Sequence, residues 1–398
     1  MRKLFTFRTA GETHGPALVT VVEGLPAGMP FDRGAVNREL ARRQVGYGRG
    51  ERMQIEKDEV EVLSGVRFGR TLGGPVAMLL RNRDWENWRE KMAQEGEGRR
   101  IPPLTTARPG HADLPGVLKY GHRDVRNVLE RASARETAAR VAAGALARML
   151  LREVGVEIVG HVVSIGKVHV PLETRGCWDL AVTSEKSDLR MADPASARRA
   201  TAVIDRAKRT GSTVGGTMEV IARGVPPGLG SFVSWDRKLD GRLGQSLMSI
   251  PAIKGVEIGG GFPLATLSGN AVHDEIFPGK GKGNPLLGNL FLPVHRKTNR
   301  AGGVEGGMSN GEPLVVRAVM KPIPTQANPL RTVDIRSWKR ADAHRERSDV
   351  CAVPACSVVA ETMVAIVLVS AFLEKFGGDS MVEIHYNYSG YLRRIGCR

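Results

Sequence analysis

Short apolar runs, broken by glycine and proline, recur along the chain and alternate with longer amphipathic stretches. "ALVTVVE" (17–23) is β-branched and ends at Gly-Leu-Pro, which reads as a strand and a turn. "DRGAVNRELARRQ" follows at helical spacing, with Asp32 placed to cap it. A glycine turn then leads into a second strand, "PVAMLL" (75–80). The longest helical pattern comes next, in "SARETAARVAAGALARMLLREVGVEI" (133–158), and closes at a glycine before another strand.

The same order returns further on. "VIARGVPPGLGSFVSWDR" (220–237) echoes "VVEGLPAGMPFDR" (21–33), and the helix "DRKLDGRLGQSLMSI" follows it. "GGVEGGMSNGEPLVVRAVMKP" echoes "SGVRFGRTLGGPVAMLLRN", each a glycine turn before a strand. "PACSVVAETMVAIVLVSAFLEKFGGDSMVEI" echoes the long helix and the strand after it. Three matches in register predict two similar halves, about 1–170 and 212–385. The competing reading is that any α+β chain repeats strand, turn and helix. No flexible linker separates the halves, so one interlocked domain over 1–398 is expected. Residues 173–194 read as a polar loop, 195–210 as a helix, 278–299 as a mobile Gly/Lys loop, and 384–398 as a loosely held basic tail.

Composition adds a constraint. The chain has 398 residues, 41% hydrophobic and 25% charged, as in a soluble globular protein. Lys and Arg number 58 against 42 Asp and Glu, a formal charge of +16. That surplus calls for an anionic partner: nucleic acid, membrane or a small charged ligand. Aromatic content is only 5% and no recognition motif appears, which argues against nucleic acid. No signal-like core or long uninterrupted apolar stretch is seen, so neither secretion nor membrane spanning is expected. Four cysteines without metal spacing suit a reducing cytoplasm.

The candidate chemistry sits in polar, glycine-bent segments. "TAGETHGP" places His14 beside the first strand. "LARRQVGYGRGERMQ" sets Arg42, Arg43, Arg49 and Arg52 about a Gly-Tyr-Gly turn. They can cap a helix end, or converge on one carboxylate or phosphate. "RPGHADLPGVLKYGHRDVRNVLERASARET" is denser, with His111, His122, Arg108, Arg131 and Arg135, and Ser133 at a helix start. Backbone N–H groups there, with arginines beside them, make an anion cradle. Asp349 lies just before the second long helix, where capping is the plain alternative. Together these residues suit an enzyme that uses histidine acid–base catalysis on an anionic substrate.

The motifs "TAGETHGP", "RRQVGYGRG", "RPGHAD", "KYGHRDVR", "RASARETAARVAAGA", "MSIPAIKGVEIGGGF", "NRAGGVEGGMSNG", "KPIPT" and "RSDVCAVPA" resemble the signatures of the chorismate synthase family, in its order. The resemblance implies an α+β fold, a layered β-α-β sandwich with helices packed between antiparallel sheets, assembled as a homotetramer. It implies loss of phosphate from 5-enolpyruvylshikimate 3-phosphate by trans 1,4-elimination, the last common step toward aromatic amino acids. It implies reduced FMN, with NADPH as indirect reductant, used either by the protein itself or by a separate flavin reductase. By this resemblance His14 protonates the leaving phosphate, His111 serves the reduced flavin, and Asp349 accepts the substrate proton. Arg43 and Arg49 match substrate or NADPH contacts, and Arg108 and Arg135 are assigned with them. FMN would meet Arg131, Ala132, Ser133, Pro251, Ala252, Gly306, Lys321, Pro322, Ile323, Pro324, Thr325 and Arg347. Relatives often carry an amide where this chain has Pro251, which offers no N–H. A flavin enzyme acting on another phosphorylated metabolite is the remaining rival.

Overall fold

The computed structural model describes residues 5–50, 57–96, 98, 100–279, 292–346 and 348–396. The first half supplies strands β1 (Thr6–Ala10) and β2 (Ala17–Glu23), helix α1 (Arg33–Gln44), and strands β3 (Val60–Val62), β4 (Val66–Arg67), β5 (Arg70–Thr71) and β6 (Val76–Arg81). Helices α2 (Asp113–Tyr120), α3 (Arg126–Ala132) and α4 (Thr137–Glu153) follow, then strands β7 (Glu157–Ile165) and β8 (Val168–His169). Helices α5 (Trp178–Thr183) and α6 (Pro194–Arg209) lead to β9 (Gly216–Arg223), α7 (Leu239–Met248) and β10 (Ile253–Ile258). Two hairpins come next, β11 (Ile276–Pro278) with β12 (Val294–Arg296), and β13 (Val304–Glu305) with β14 (Met308–Ser309). Strand β15 (Leu314–Met320), the hairpin of β16 (Arg331–Val333) with β17 (Arg340–Asp342), helix α8 (Val353–Phe376) and helix α9 (Met381–Arg394) follow.

One sheet runs β1-β2-β6-β3 and the other β10-β15-β9-β7-β8, both antiparallel. Helices α1, α4, α7 and α8 lie between them, giving the α+β sandwich that the resemblance implies. One echoed pair of segments folds alike: β4–β5 and β13–β14 are small hairpins, each leading into a long strand. Strand β7 pairs with β9 across the two halves.

Close approach fixes how the layers meet. Thr20 of β2 donates its hydroxyl to the Ala139 carbonyl of α4 at 2.9 Å. Gly144 of α4 faces Thr362 of α8, where a Cβ would come within 2.9 Å of the Thr362 Cα. Every residue of the central window of α8 is buried. By length and mean hydropathy α8 could cross a membrane, although Ser357, Glu361, Thr362 and Ser370 interrupt its apolar run. Its burial makes it the core helix of the sandwich.

Other expectations also change. Among the described residues the tail after Glu383 is not loose: through Arg394 it belongs to α9, whose Ile384, Tyr388 and Leu392 are buried. Apolar residues three and four apart and a capping box between Ser380 and Glu383 make "MVEI" start a helix, not a strand. Asp32 caps α1 through the Gly34 N–H at 2.7 Å, as expected. Asp236 instead sits in a short 3₁₀ turn, and α7 begins at Leu239. The polar stretch before α6 contains the short helix α5. Most of the 278–299 segment, with Arg52 and Cys397, lies outside the described residues.

A buried charge cluster ties the helices to β7. The Glu361 carboxylate of α8 accepts from Arg42 of α1 at 2.7 and 2.8 Å, from Arg190 at 2.8 Å and from the Gly160 N–H at 2.8 Å. Arg148 of α4 is also bonded to it. Burial opposes the charge, but Arg42, Arg148 and Arg190 hold Glu361 well below the usual carboxylate range. A depressed native pKa gives stability that is complete above the unfolded value near 4.5 and is lost as pH falls below it. Glu361→Gln leaves three arginines undercompensated and is expected to cost about 3–5 kcal/mol at neutral pH. It should also flatten the acid limb of stability. Thermal melts from neutral pH down through about pH 4 check both effects.

Candidate active site

A cleft of about 700 Å³ opens where the N-terminal end of α8 meets the loop before α2, the α3–α4 junction and the ends of β10 and β15. That volume is in the range of clefts that take cofactor-sized ligands, roughly 300–1,000 Å³. Its wall carries His14, His111, Asp349, Arg43, Arg49, Arg108, Arg135 and Lys321.

The His14 turn is built by its neighbours. Gly11 has φ +105, and a Cβ there would meet the backbone of Leu18 at 3.0 Å. Only glycine meets both demands without strain. Asn82 donates from Nδ2 to the Glu12 and Gly15 carbonyls at 3.1 and 2.7 Å, closing the turn. His14 itself is 8% exposed. Its Nδ1 lies 2.8 Å from Glu130 of α3, and its ring stacks on Trp88 with centroids 3.7 Å apart.

His111 has a comparable support. Its Nδ1 is 2.5 Å from Asp113 Oδ1. Arg108 grips the same carboxylate, with Nε 2.8 Å from Oδ2 and an Nη 3.1 Å from Oδ1. Burial opposes the Asp113 charge, but its bonds to His111 and Arg108 keep it ionised well below the usual range. Arg108 also donates to Thr325 at 2.9 Å and to Glu346 at 3.2 Å.

The other arginines are backed in the same way. Asp58, with a wholly buried side chain, bonds Arg135 at 2.5 Å and Arg43 at 3.4 Å. Arg135 also donates to the side-chain Oδ1 of Asn82 at 3.0 Å, and Arg43 donates to Thr137 at 3.0 Å. Burial, together with Arg49 and Arg135, pushes Arg43 down to about 10. Asp349 does not cap α8, whose N-cap is Ala352. It accepts instead from Arg49 and from the Gly50 N–H, each at 2.7 Å. Among the described lining residues, six Lys or Arg face two carboxylates, Glu346 and Asp349. The cleft therefore attracts anions.

Of the residues assigned to FMN, the cleft wall holds Ala132, Ser133, Pro251, Ala252, Lys321, Ile323, Pro324 and Thr325. Arg131 donates to the Thr9 and Gly11 carbonyls at 2.9 and 3.1 Å, beside the wall. Pro322 is not part of the wall, and Gly306 turns the β13–β14 hairpin. Arg347 lies outside the described residues. Ala252 has φ +67, a strained value for a residue with a Cβ, and its carbonyl accepts the Lys321 N–H at 2.9 Å. Ile250, Ala252, Met320, Ile323 and Val359 add apolar side chains to the lining of the same cleft. An apolar lining together with an anion cradle suits a planar, phosphorylated cofactor, so these residues fit FMN.

Sequence reading missed Asp58, Asn82, Trp88, Asp113, Glu130 and Glu346. Asp113 and Glu346 lie within quoted or adjacent motif residues and could have been found there. Glu130 is 116 residues from His14, and no local spacing announces the pair.

An α+β sandwich that brings two carboxylate-backed histidines and a set of buried arginines to one cleft defines an enzyme for a small anionic substrate. The family model for chorismate synthase matches residues 5–373. A chorismate synthase of Desulforudis audaxviator is 56% identical over 395 residues, covering 98% of each chain. One from Moorella thermoacetica is 54% identical over 388 residues, again covering 98% of each. A crystal structure of chorismate synthase matches with a TM-score of 0.77 and 43% identity, covering 98% of both chains. The chain belongs to the chorismate synthase family, lyases of the shikimate pathway.

The cleft's charge has a direct test. Inorganic phosphate should raise the melting temperature of the protein by binding the native state, and the gain should shrink in Arg49→Ala. A wild-type melting curve indifferent to phosphate would mean these cations are not open to anions.

Proposed function

We propose that the chain converts 5-enolpyruvylshikimate 3-phosphate to chorismate by trans 1,4-elimination of phosphate, with reduced FMN as cofactor. The observation that carries this reading is the convergence of His14, His111 and Asp349 with Arg43, Arg49, Arg108 and Arg135 on one cleft. Their sequence positions run from 14 to 349, and only the fold brings them together.

The substrate carries one phosphate and two carboxylates, and the arginines neutralise these charges. Buried acids such as Asp58 hold the guanidinium planes in place, so little reorganisation is needed on binding. Reduced FMN, when bound, supplies transient electron density for breaking the C–O bond. His14 gives a proton to the phosphate oxygen as its negative charge develops. Asp349 takes the ring proton. Both its oxygens already accept hydrogen bonds, and a substrate carboxylate that draws Arg49 away releases one of them for this task. His111, steadied by Asp113, serves the flavin side of the cleft. The apolar lining and Trp88 exclude water, which strengthens each of these charge interactions.

The reading extends to NADPH as indirect reductant through a separate flavin reductase, to a homotetramer and to a cytoplasmic setting. Exposed Phe232, Trp235 and Phe262 are surfaces that neighbouring copies would cover. Cys351 and Cys356 are free thiols, pushed up to about 11 and about 12 by burial, which suits a reducing compartment.

The test is anaerobic phosphate release from 5-enolpyruvylshikimate 3-phosphate with pre-reduced FMN. Wild-type turnover supports the reading, and its absence under these conditions overturns it. His14→Ala should stay folded and slow turnover on the order of 10²–10⁴-fold. A wild-type rate, or loss of the fold, would remove the acid role from His14.

A further inference from the structure

His14 meets one carboxylate twice. Glu130 Oε2 accepts the backbone N–H of His14 at 2.8 Å, and Oε1 lies 2.8 Å from the ring Nδ1. The Glu130 side chain is 2% exposed. The Glu130 carbonyl also accepts the Thr13 N–H at 3.0 Å and the Thr13 hydroxyl at 2.9 Å. Asn82 closes the far side of the turn, and the Trp88 ring lies 9° from the plane of the imidazole. Backbone and ring are therefore both held against one buried acid.

An ionised carboxylate can only accept hydrogen bonds. Nδ1 must therefore carry its proton whether the ring is neutral or cationic. Any proton His14 exchanges with a ligand in the cleft passes through Nε2. The geometry points to Glu130 as the positioning residue that fixes His14 in its Nδ1–H tautomer and makes Nε2 the working nitrogen. This rests on reading His14 as the acid of the proposed reaction. Glu346 also lines the cleft; burial opposes its charge, but its bond to His344 and the nearby charges of Arg108, His344 and His14 hold it below the usual carboxylate range.

Glutamine in place of Glu130 separates charge from shape. Its amide offers one acceptor and one donor group in the volume of the carboxylate. The backbone N–H of His14 can only donate, so the amide oxygen turns to it. The amide NH₂ then faces Nδ1, which must accept. The neutral ring is driven to the Nε2–H form, with the wrong nitrogen protonated. Glu130→Asp keeps two acceptors and should keep the tautomer.

The experiment is nitrogen NMR of ¹⁵N-histidine-labelled protein, read where His14 is neutral, for wild type, Glu130→Gln and Glu130→Asp. Thermal melts of each accompany it. Wild type and Glu130→Asp should show Nδ1–H, and Glu130→Gln should show Nε2–H. In turnover, Glu130→Gln should lower kcat on the order of 10²–10⁴-fold with a smaller change in KM, and Glu130→Asp should recover part of the rate. A wild-type Nε2–H tautomer, or a Glu130→Gln tautomer unchanged from wild type, overturns the inference. An inverted tautomer with unchanged kcat overturns the role given to Nε2. If Glu130→Gln does not fold, the wild-type tautomer alone decides. Wild-type phosphate release tests the reaction itself, so a failure there is told apart from a failure here.

Discussion

Asp58 lies wholly buried between Arg43 and Arg135, 3.4 Å from one guanidinium and 2.5 Å from the other. Two like charges about 4 Å apart repel by about 4 kcal/mol at an effective dielectric near 20. A cleft meant to hold several arginines near one another must offset that repulsion before any ligand arrives. Asp58 does this for one pair. Asp113 does it for Arg108, and Asp349 for Arg49. The acids sit behind or beside the guanidinium groups, so the arginines hold position while the cleft keeps an excess of positive charge.

The same device appears at the histidines. Each has a carboxylate at Nδ1, Glu130 for His14 and Asp113 for His111. The fold makes these pairings possible because its two sheets clamp the helices rigidly. Glu361, with its arginines, joins α1, α4, α8 and β7, and Gly144 lets α4 and α8 touch at their backbones. Helices fixed in this way hold the loops at their ends, where the cleft opens. Buried charge thus stabilises the scaffold and prepares the site.

Much of this was legible along the chain because it depends on local pattern. The strands, the Asp32 cap and the two long helices follow from periodicity and turn residues. His14, His111 and the arginines declare themselves by lying in polar, glycine-bent segments where packing alone would not place them. The charge partners distant in sequence were not legible. Asp58 lies 77 residues from Arg135, and Glu361 lies 213 from Arg148. A buried acid looks like any surface acid until the topology brings an arginine to it. Helix α9 was misread for a local reason: "MVEI" fits a strand as well as a helix, and the Ser380 capping box decides between them.

In the proposed reaction one arginine-lined cleft receives both anions, substrate and flavin. Two negative ligands can share such a site only if the second completes its closure. Calorimetric titration of FMN into the protein, with and without 5-enolpyruvylshikimate 3-phosphate, tests this most directly. With one composite site, flavin should bind weakly alone and much more tightly with substrate present. Equal affinity in the two titrations would contradict a single composite site.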